Sequence, residues 1–580
     1  MAKKAEPITV KDWEKGIAQN PYAGFPDMRC VNINAIPGLV MPNIKTFASY
    51  PPAVDDKTFT ADASTDKITV SNDYEYSVNN ATTNGTGRPV TVSSTDTLPA
   101  GLSADTIYYL IDLDAVGNDE YQLATTYANA IAGTQIDITD AGTGTHTIST
   151  VDLDEVTYQT HDKENDEYYI LDRSGRIWQI DSSKGLIHIT EPATLGSGEG
   201  IIAWKDYLFV FRDAKVDVYG PLSGSPSWTD DWETGLVKTT NNDHYAHTAQ
   251  NDLIYFCNSA SGIGSIQEDT TFDPTSGATY TVNASALDLP DGVFARRLEE
   301  LGGNLMIGTN EAVIYPWDTF SDSFNDPIIL NEKGCDGLVT VNNLMYIFTG
   351  RKGNIYIADG TTWRKISKIP EYMSEYFSTS QPTVEWGRGN PVRHNEKIFF
   401  GVSCIGCSGL WSLDTSAAVL VLENIISNGS YGVDSSTEVI MGAPMSDGEN
   451  IYYGWLDEDG SLKGWDRSLR SRIYSNFEAV VISPMLMVGT KNHPLNFSNL
   501  ETLLDKALGA TSEGVRISYR TNKGGSWTVL GTFNEVGKFN FIKEIGHVTV
   551  VNIQLKIELD GTTAGAGIIP QLKEVRLWPM

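Results

Sequence analysis

An apolar run that returns at a nearly regular interval constrains this chain more than any other feature. Between Thr150 and Ser475, short β-branched and aromatic runs come in pairs cut by Gly, Asn and Asp turns. Tyr168–Leu171 precedes Arg176–Ile180, and Tyr207–Phe211 precedes Val216–Tyr219. Leu253–Cys257 follows, then Leu305–Gly308 with Ala312–Tyr315, and Leu344–Phe348 with Asn354–Ala358. Lys397–Val402 with Gly409–Leu413 and Ile451–Trp455 with Leu462–Trp465 complete the series. Successive first runs start about 39 to 54 residues apart, about 47 on average, which is the length of a four-stranded β-propeller blade. A blade has two apolar faces and cannot bury both alone, so neighbours must stack and the ring must close. Aromatics ending the second runs (Trp178, Tyr219, Tyr315, Trp411, Trp465) are placed to fill the space between blades. A string of unrelated hairpins in stacked sandwiches is the competing arrangement.

Helical periodicity is nearly absent, so the expected fold class is all-β: a β-propeller with an inserted small β-domain and a C-terminal β-sandwich-like module. Residues 1–55 form an N-terminal arm containing a strand, Ile44–Ser49, expected to close the ring by pairing with the last blade. Residues 56–150 are a Thr-rich insertion, 19 threonines in 95 residues, with alternation in Lys67–Val70, Val90–Ser93, Ile107–Leu110, Tyr121–Ala124 and Ile136–Thr139. Residues 151–475 are the propeller. Residues 476–580 alternate as sandwich strands do in Val515–Arg520, Trp527–Thr532, Lys538–Phe541, Val548–Val550, Ile553–Leu559 and Val575–Leu577. Two segments admit a helix: Val10–Ala18, and Asn499–Leu508. In the second, Ser498 and Glu501 have capping-box spacing and Leu500, Leu504 and Leu508 share a face, but a strand through Leu503 fits equally.

Charge narrows the partners. The chain carries 74 acidic and 42 basic residues, a formal net charge of −32. Residues 151–475 hold about −24 of it and the insertion about −10, while each end is near +1. Such a surface repels phosphate backbones and argues against tight nucleic-acid binding. No run of 18 apolar residues predicts a membrane span. The lysines near Met1 have no apolar stretch behind them, so no secretory signal is expected. Cys30, Cys257, Cys335, Cys404 and Cys407 are too few for a disulfide framework in a chain this long, which suits a reducing cytoplasm.

Tests for chemistry return little. Cys404 and Cys407 make a CxxC pair without a second pair or a His at zinc spacing. His244 and His247, beside Asp243, would point to opposite faces of a strand. Asp457, Glu458, Asp459 and Gly460 lack the spaced carboxylates of a calcium loop. Asn522, Gly524 and Trp527 follow the spacing of a sialidase aspartate box, with Asn in place of the Asp. No Walker loop, dinucleotide fingerprint or nucleophile elbow occurs. No catalytic residue, cofactor or metal is therefore expected. Pro221–Leu236, with Trp228, Asp230, Asp231 and Trp232, is aromatic and acidic without strand alternation; it reads as a partner-contact loop or as a loop pinned by its tryptophans.

The chain resembles the tail nozzle (tail hub, packaged-DNA-stabilising) proteins of short-tailed bacteriophages. The resemblance is carried by Asp27-Met-Arg-Cys-Val-Asn-Ile-Asn-Ala-Ile-Pro-Gly-Leu39, the propeller-like middle, Ile517-Ser-Tyr-Arg-Thr-Asn522, Ser526-Trp527 and Pro570-Gln-Leu-Lys-Glu-Val-Arg-Leu-Trp-Pro579. Leu98-Pro-Ala-Gly-Leu102, Thr106-Ile-Tyr-Tyr109, Leu123-Ala-Thr-Thr-Tyr127 and Gly142-Thr-Gly-Thr-His-Thr147 resemble a module shared among phage tail proteins. The resemblance implies a structural virion protein assembled in the bacterial host cytoplasm. It implies a homo-hexameric ring at the distal tail, bound to a tail adaptor protein and to tail spikes or fibres. It also implies a channel that retains genomic DNA and lets it pass on ejection, without tight binding. It assigns no chemical role to any residue, and the channel gate has no candidate residue. The alternative is a receptor-binding or polysaccharide-degrading tail protein, whose mark would be an acid pair about 5–10 Å apart in a cleft with stacking aromatics.

Overall fold

Side chains alternate across a strand, and in the apolar runs both sets are buried. Leu208 and Val210 enter one core while Phe209 and Phe211 enter the next, so each run packs against a neighbour on either side. A computed structural model of the chain describes residues 7–11, 27–29, 31–32, 41–42, 44–50, 56–71, 86–113, 120–180, 186–189, 191–236, 246–248, 252–258, 262–268, 280–360, 362–369, 384–403, 408–416, 418–424, 439–457, 463–473, 479–483, 485–488, 494–508, 513–522, 525–538, 540–560 and 570–579.

Among these residues, seven antiparallel blades follow one another around a ring. Blade 1 spans Val156–His188, blade 2 Gly198–Thr234, blade 3 Ala246–Leu287 and blade 4 Ala295–Ile329. Blade 5 spans Cys335–Lys368, blade 6 Glu385–Asn424 and blade 7 Val439–Ile473. The earliest strands of each blade lie innermost, beside those of their neighbours, and blade 7 returns to blade 1. The fold is an all-β propeller carrying a small inserted β-domain and a C-terminal β-module.

Every seam is filled by an apolar core. Tyr158, Leu171 and Ile177 of blade 1 meet Ile201, Leu208 and Val210 of blade 2. On its other side, blade 1 sends Val156, Ile170 and Trp178 against Ala443, Tyr452 and Trp465 of blade 7. Trp178, Trp411 and Trp465 are among the largest fully buried side chains. Burying one such ring contributes about 3 kcal/mol or more. Tyr315 is buried as well, and Tyr219 packs half-buried at the blade 1–2 seam.

The outermost strand of blade 7 comes from the other end of the chain: Ile44–Tyr50 pairs with Lys463–Ile473, aligning Phe47 with Arg467 and Ala48 with Asp466. The arm makes two further stitches. Asp27–Arg29 runs parallel to the outer strand of blade 6 and antiparallel to Ala479–Ile482, joining that blade to the C-terminal module in one sheet. Ile8–Val10 adds an edge strand to Leu572–Pro579. The C-terminal module stacks two sheets whose core continues into blade 5 through Tyr346, Phe348 and Ile355 and into blade 6 through Ile398, Phe400, Trp411 and Leu422.

The insertion is a closed six-stranded barrel, so it presents no open sheet edge. Phe59, Ile68, Val92, Leu110, Tyr121, Leu123 and Ile148 fill it. It seats on blade 1, where the Tyr109 hydroxyl lies 3.1 Å from His188 Nδ1.

The local readings resolve as follows. Asn499–Leu508, open between a helix and a strand, falls on the strand Leu495–Leu504 through Leu504. Val10 ends a strand, and the rest of the Val10–Ala18 candidate beyond Lys11 lies outside the described residues. Ile136–Thr139 is not a strand, although Ile138 is buried in the barrel; its amide donates to Asp66 Oδ1, and the sixth barrel strand is His146–Thr150. A six-residue helix not foreseen, Tyr127–Ala132, is capped by Thr126 and stopped by Gly133 at φ 70°.

Paired prolines at Phe47 and Ala48 test the closure. Successive amides of a strand point to opposite edges, so one proline must remove a donor facing Lys463–Ile473. The double variant is expected to lose about 1–3 kcal/mol in urea unfolding, while either change alone is milder if its amide faces outward.

Candidate functional site

The ring axis gathers the polar residues of the inner strands, and they reach across it. Arg297 is buried on the inner strand of blade 4, and its guanidinium lies 6.0 Å from the ring centre of Tyr158 on blade 1. Those blades are three places apart in a ring of seven, so the contact spans the axis. Arg297 Nε also donates to the Asp336 carbonyl at 3.0 Å, and Arg296 pairs with the Asp336 carboxylate at 2.8 Å.

A second crossing comes from blade 6. The segment from Trp386 to Pro391 touches three other blades. Asn390 Oδ1 accepts the Leu338 amide of blade 5, the Arg388 amide donates to the Met441 carbonyl of blade 7, and Arg388 Nε donates to Glu155 at 2.8 Å beside blade 1. Gly389, at φ 71°, makes this approach possible: a Cβ there would stand 2.7 Å from Ala443 Cβ and 3.4 Å from the Thr157 carbonyl. The buried Glu155 carboxylate also takes Arg173 Nη1 at 2.9 Å, so two guanidiniums neutralise it.

Side chains likewise bridge the seams. Met441 donates its amide to Ser403 Oγ at 2.8 Å, and Ala203 donates its amide to Thr160 Oγ1 at 2.9 Å. At the blade 4–5 seam, the Thr340 amide donates to Glu299 Oε1 at 3.0 Å and its hydroxyl to the Glu300 carbonyl at 2.8 Å. Enclosure pushes the Glu299 carboxyl up to about 7, with the Glu300 charge adding to the shift. In blade 1, the fully buried Asp172 accepts the Arg176 amide, the Ser174 hydroxyl and Trp178 Nε1. Burial raises its carboxyl above the ordinary aspartate range despite those donors. These bonds tie Trp178 to the turn of its own hairpin. In the C-terminal module, Trp527 receives the Arg520 guanidinium at 4.4 Å.

Trp228, Asp230, Asp231 and Trp232 do not lie on a loop. They belong to Ser227–Thr234, the outer strand of blade 2, whose register slips opposite Val216–Val218 and breaks the alternation. Trp232 is buried edge-on against Phe209, and Trp228 lies half-buried between Tyr219 and the Arg212 guanidinium. Asp230 accepts the Ala193 amide at 2.8 Å, and the exposed Asp231 pairs with Lys215 at 2.6 Å. The two tryptophans hold the strand to the blade, while Asp231 and the half-buried Asp230 and Glu233 edge the rim.

Cys404, Cys407, Asp243, His244, Glu458, Asp459 and Gly460 lie outside the described residues. His247 stands on the inner strand of blade 3, and Asp457 is buried at the end of Ile451–Asp457. Cys257 and Cys335 are buried and form no disulfide. Among the described residues, no group of three or more His, Cys, Asp or Glu is placed to hold a metal ion, and no helix is long and apolar enough to cross a membrane.

No family model and no curated protein matches the chain. Among solved structures, it is similar to the β-propeller domain of Cps50 (Swd1) from Myceliophteria thermophila, at 9% identity and a TM-score of 0.37, over 55% of this chain and 98% of that one.

Two substitutions test these enclosed carboxyls. Between about pH 4.5 and 7 the folded chain holds a proton on Glu299 that the unfolded chain has released, so this group lowers stability as pH rises through that window. Glu299→Gln keeps an acceptor for Thr340 and is expected to stabilise the fold at pH 8, on the order of 2 kcal/mol, with the gain vanishing near pH 4.5 in parallel melts. Asp172→Ala removes the acceptor of four donors, the Asp154 and Arg176 amides, the Ser174 hydroxyl and Trp178 Nε1, and is expected to cost about 2–4 kcal/mol in urea unfolding.

Proposed function

We propose that this chain is a structural subunit of a phage tail nozzle, assembling as a homo-hexameric ring below an adaptor ring and contacting spikes or fibres. The sequence resemblance supplies the identity of the assembly. The single structural observation that supports the reading is the filled axis. Arg297 meets Tyr158 across the ring, and the Trp386–Pro391 segment ties blade 6 to blades 5, 7 and 1. A duplex whose major groove alone is about 12 Å wide does not pass such a centre. The conduit would therefore run between copies, each propeller acting as a rigid wall element.

Charge favours transit over binding in this reading. Six copies, at −32 each, carry about −192 in all, so a lumen bounded by them repels the passing phosphates. Buried carboxylates such as Glu155 and Asp172 are engaged in ion pairs and turn hydrogen bonds, as expected of a scaffold.

Light scattering on the purified chain, alone and with tail components, tests the proposal. The expected mass is near 381 kDa, six times 63.5 kDa, reached alone or on the adaptor. Duplex DNA should bind no tighter than micromolar at physiological salt. A stable trimer that binds or cleaves cell-surface glycan would instead establish the receptor-binding or polysaccharide-degrading reading.

A further inference from the structure

Blade 5 departs from the charge of the rest of the propeller. Residues 335–369 hold five bases (Arg351, Lys352, Arg364, Lys365, Lys368) against two acids, a net of +3. Residues 191–236, which contain blade 2, hold eight acids against three bases, a net of −5. In both blades, part of the excess lies on the outermost strand. Trp363–Lys368 edges blade 5, with Arg364 and Lys365 exposed; Ser227–Thr234 edges blade 2, with Asp231 exposed and Asp230 and Glu233 half-buried.

Ring order places these strands on nearly opposite sides of the disc, because blades 2 and 5 are three places apart among seven. A disc with a cationic rim facing away from an acidic rim cannot satisfy both through a two-fold contact of like patches. It satisfies both when copies join head to tail, the geometry that closes into rings. Lysines on an edge strand also block unwanted sheet pairing. That role does not call for an acidic strand on the opposite rim.

We infer that the outer strand of blade 5 in one copy docks on the outer strand of blade 2 in the next, the partner being a second copy of this chain. Arg364, Lys365 and Lys368 face Asp231 and Glu233 across the contact, with Asp230 beside them. The intrachain pair between Asp231 and Lys215 engages one carboxylate oxygen and holds the acidic strand in place. The inference rests on the ring reading above and specifies its subunit contact.

Charge reversal in the full-length chain tests it. One variant carries Arg364→Glu, Lys365→Glu and Lys368→Glu; a second carries Asp231→Lys and Glu233→Lys. Each alone is expected to weaken self-association at least tenfold by sedimentation, with its melting curve showing that it folds. An equimolar mixture is expected to restore assembly, because every contact in an alternating ring is again between opposite charges. Wild-type association should weaken between 0.05 and 0.5 M NaCl. Should the second variant fail to fold, the blade 5 variant and the salt series still decide. Assembly unchanged by reversal, or a mixture of two folded variants that does not recover, overturns this contact while leaving the ring reading intact. Absence of wild-type assembly, both alone and on the adaptor, overturns both.

Discussion

Everything in this molecule depends on burying two apolar faces per blade. A sheet whose second strand reads Tyr207–Phe211 has Leu208 and Val210 on one side and Phe209 and Phe211 on the other, and neither set can be left in water. Each seam meets that demand for two blades at once. Seven seams can all be filled only if the last blade returns to the first, so stability is a property of the closed ring. The closure places Trp178 and Trp465 in one core and draws its final strand from Ile44–Tyr50.

The axis follows from the same geometry. Inner strands brought together by ring closure place unlike polar groups face to face, and the chain satisfies them within itself. Glu155 lies between Arg173 and Arg388, Arg297 over Tyr158, and Glu299 against Thr340, so contacts between distant stretches of chain link the inner strands.

The parts legible in the sequence were those with both faces buried. Second and third blade strands announce themselves as unbroken apolar runs, and Trp178, Trp411 and Trp465 mark where they pack. The innermost and outermost strands are partly polar and irregular, so Ser227–Thr234 read as a loop once a register slip had erased its period. Leu495–Leu504 was ambiguous for a different reason. A spacing of four, as from Leu500 to Leu504, keeps residues on one face of a helix and of a strand alike. The polar centre was not legible at all: Arg388 and Glu155 are 233 residues apart, and nothing local in either stretch announces the other.

The N-terminal arm ties together parts of the chain that are distant in sequence, and its last stitch stands next to the barrel. Only residues 51–55 separate the end of Ile44–Tyr50 from the start of the described barrel region, and the barrel leads straight into blade 1. A pull applied to the barrel is therefore divided between the strand that locks blade 7 and the first strand of the ring. Tension on the appendage loads the lock itself. The barrel is thus tethered to the same seam that holds the disc shut.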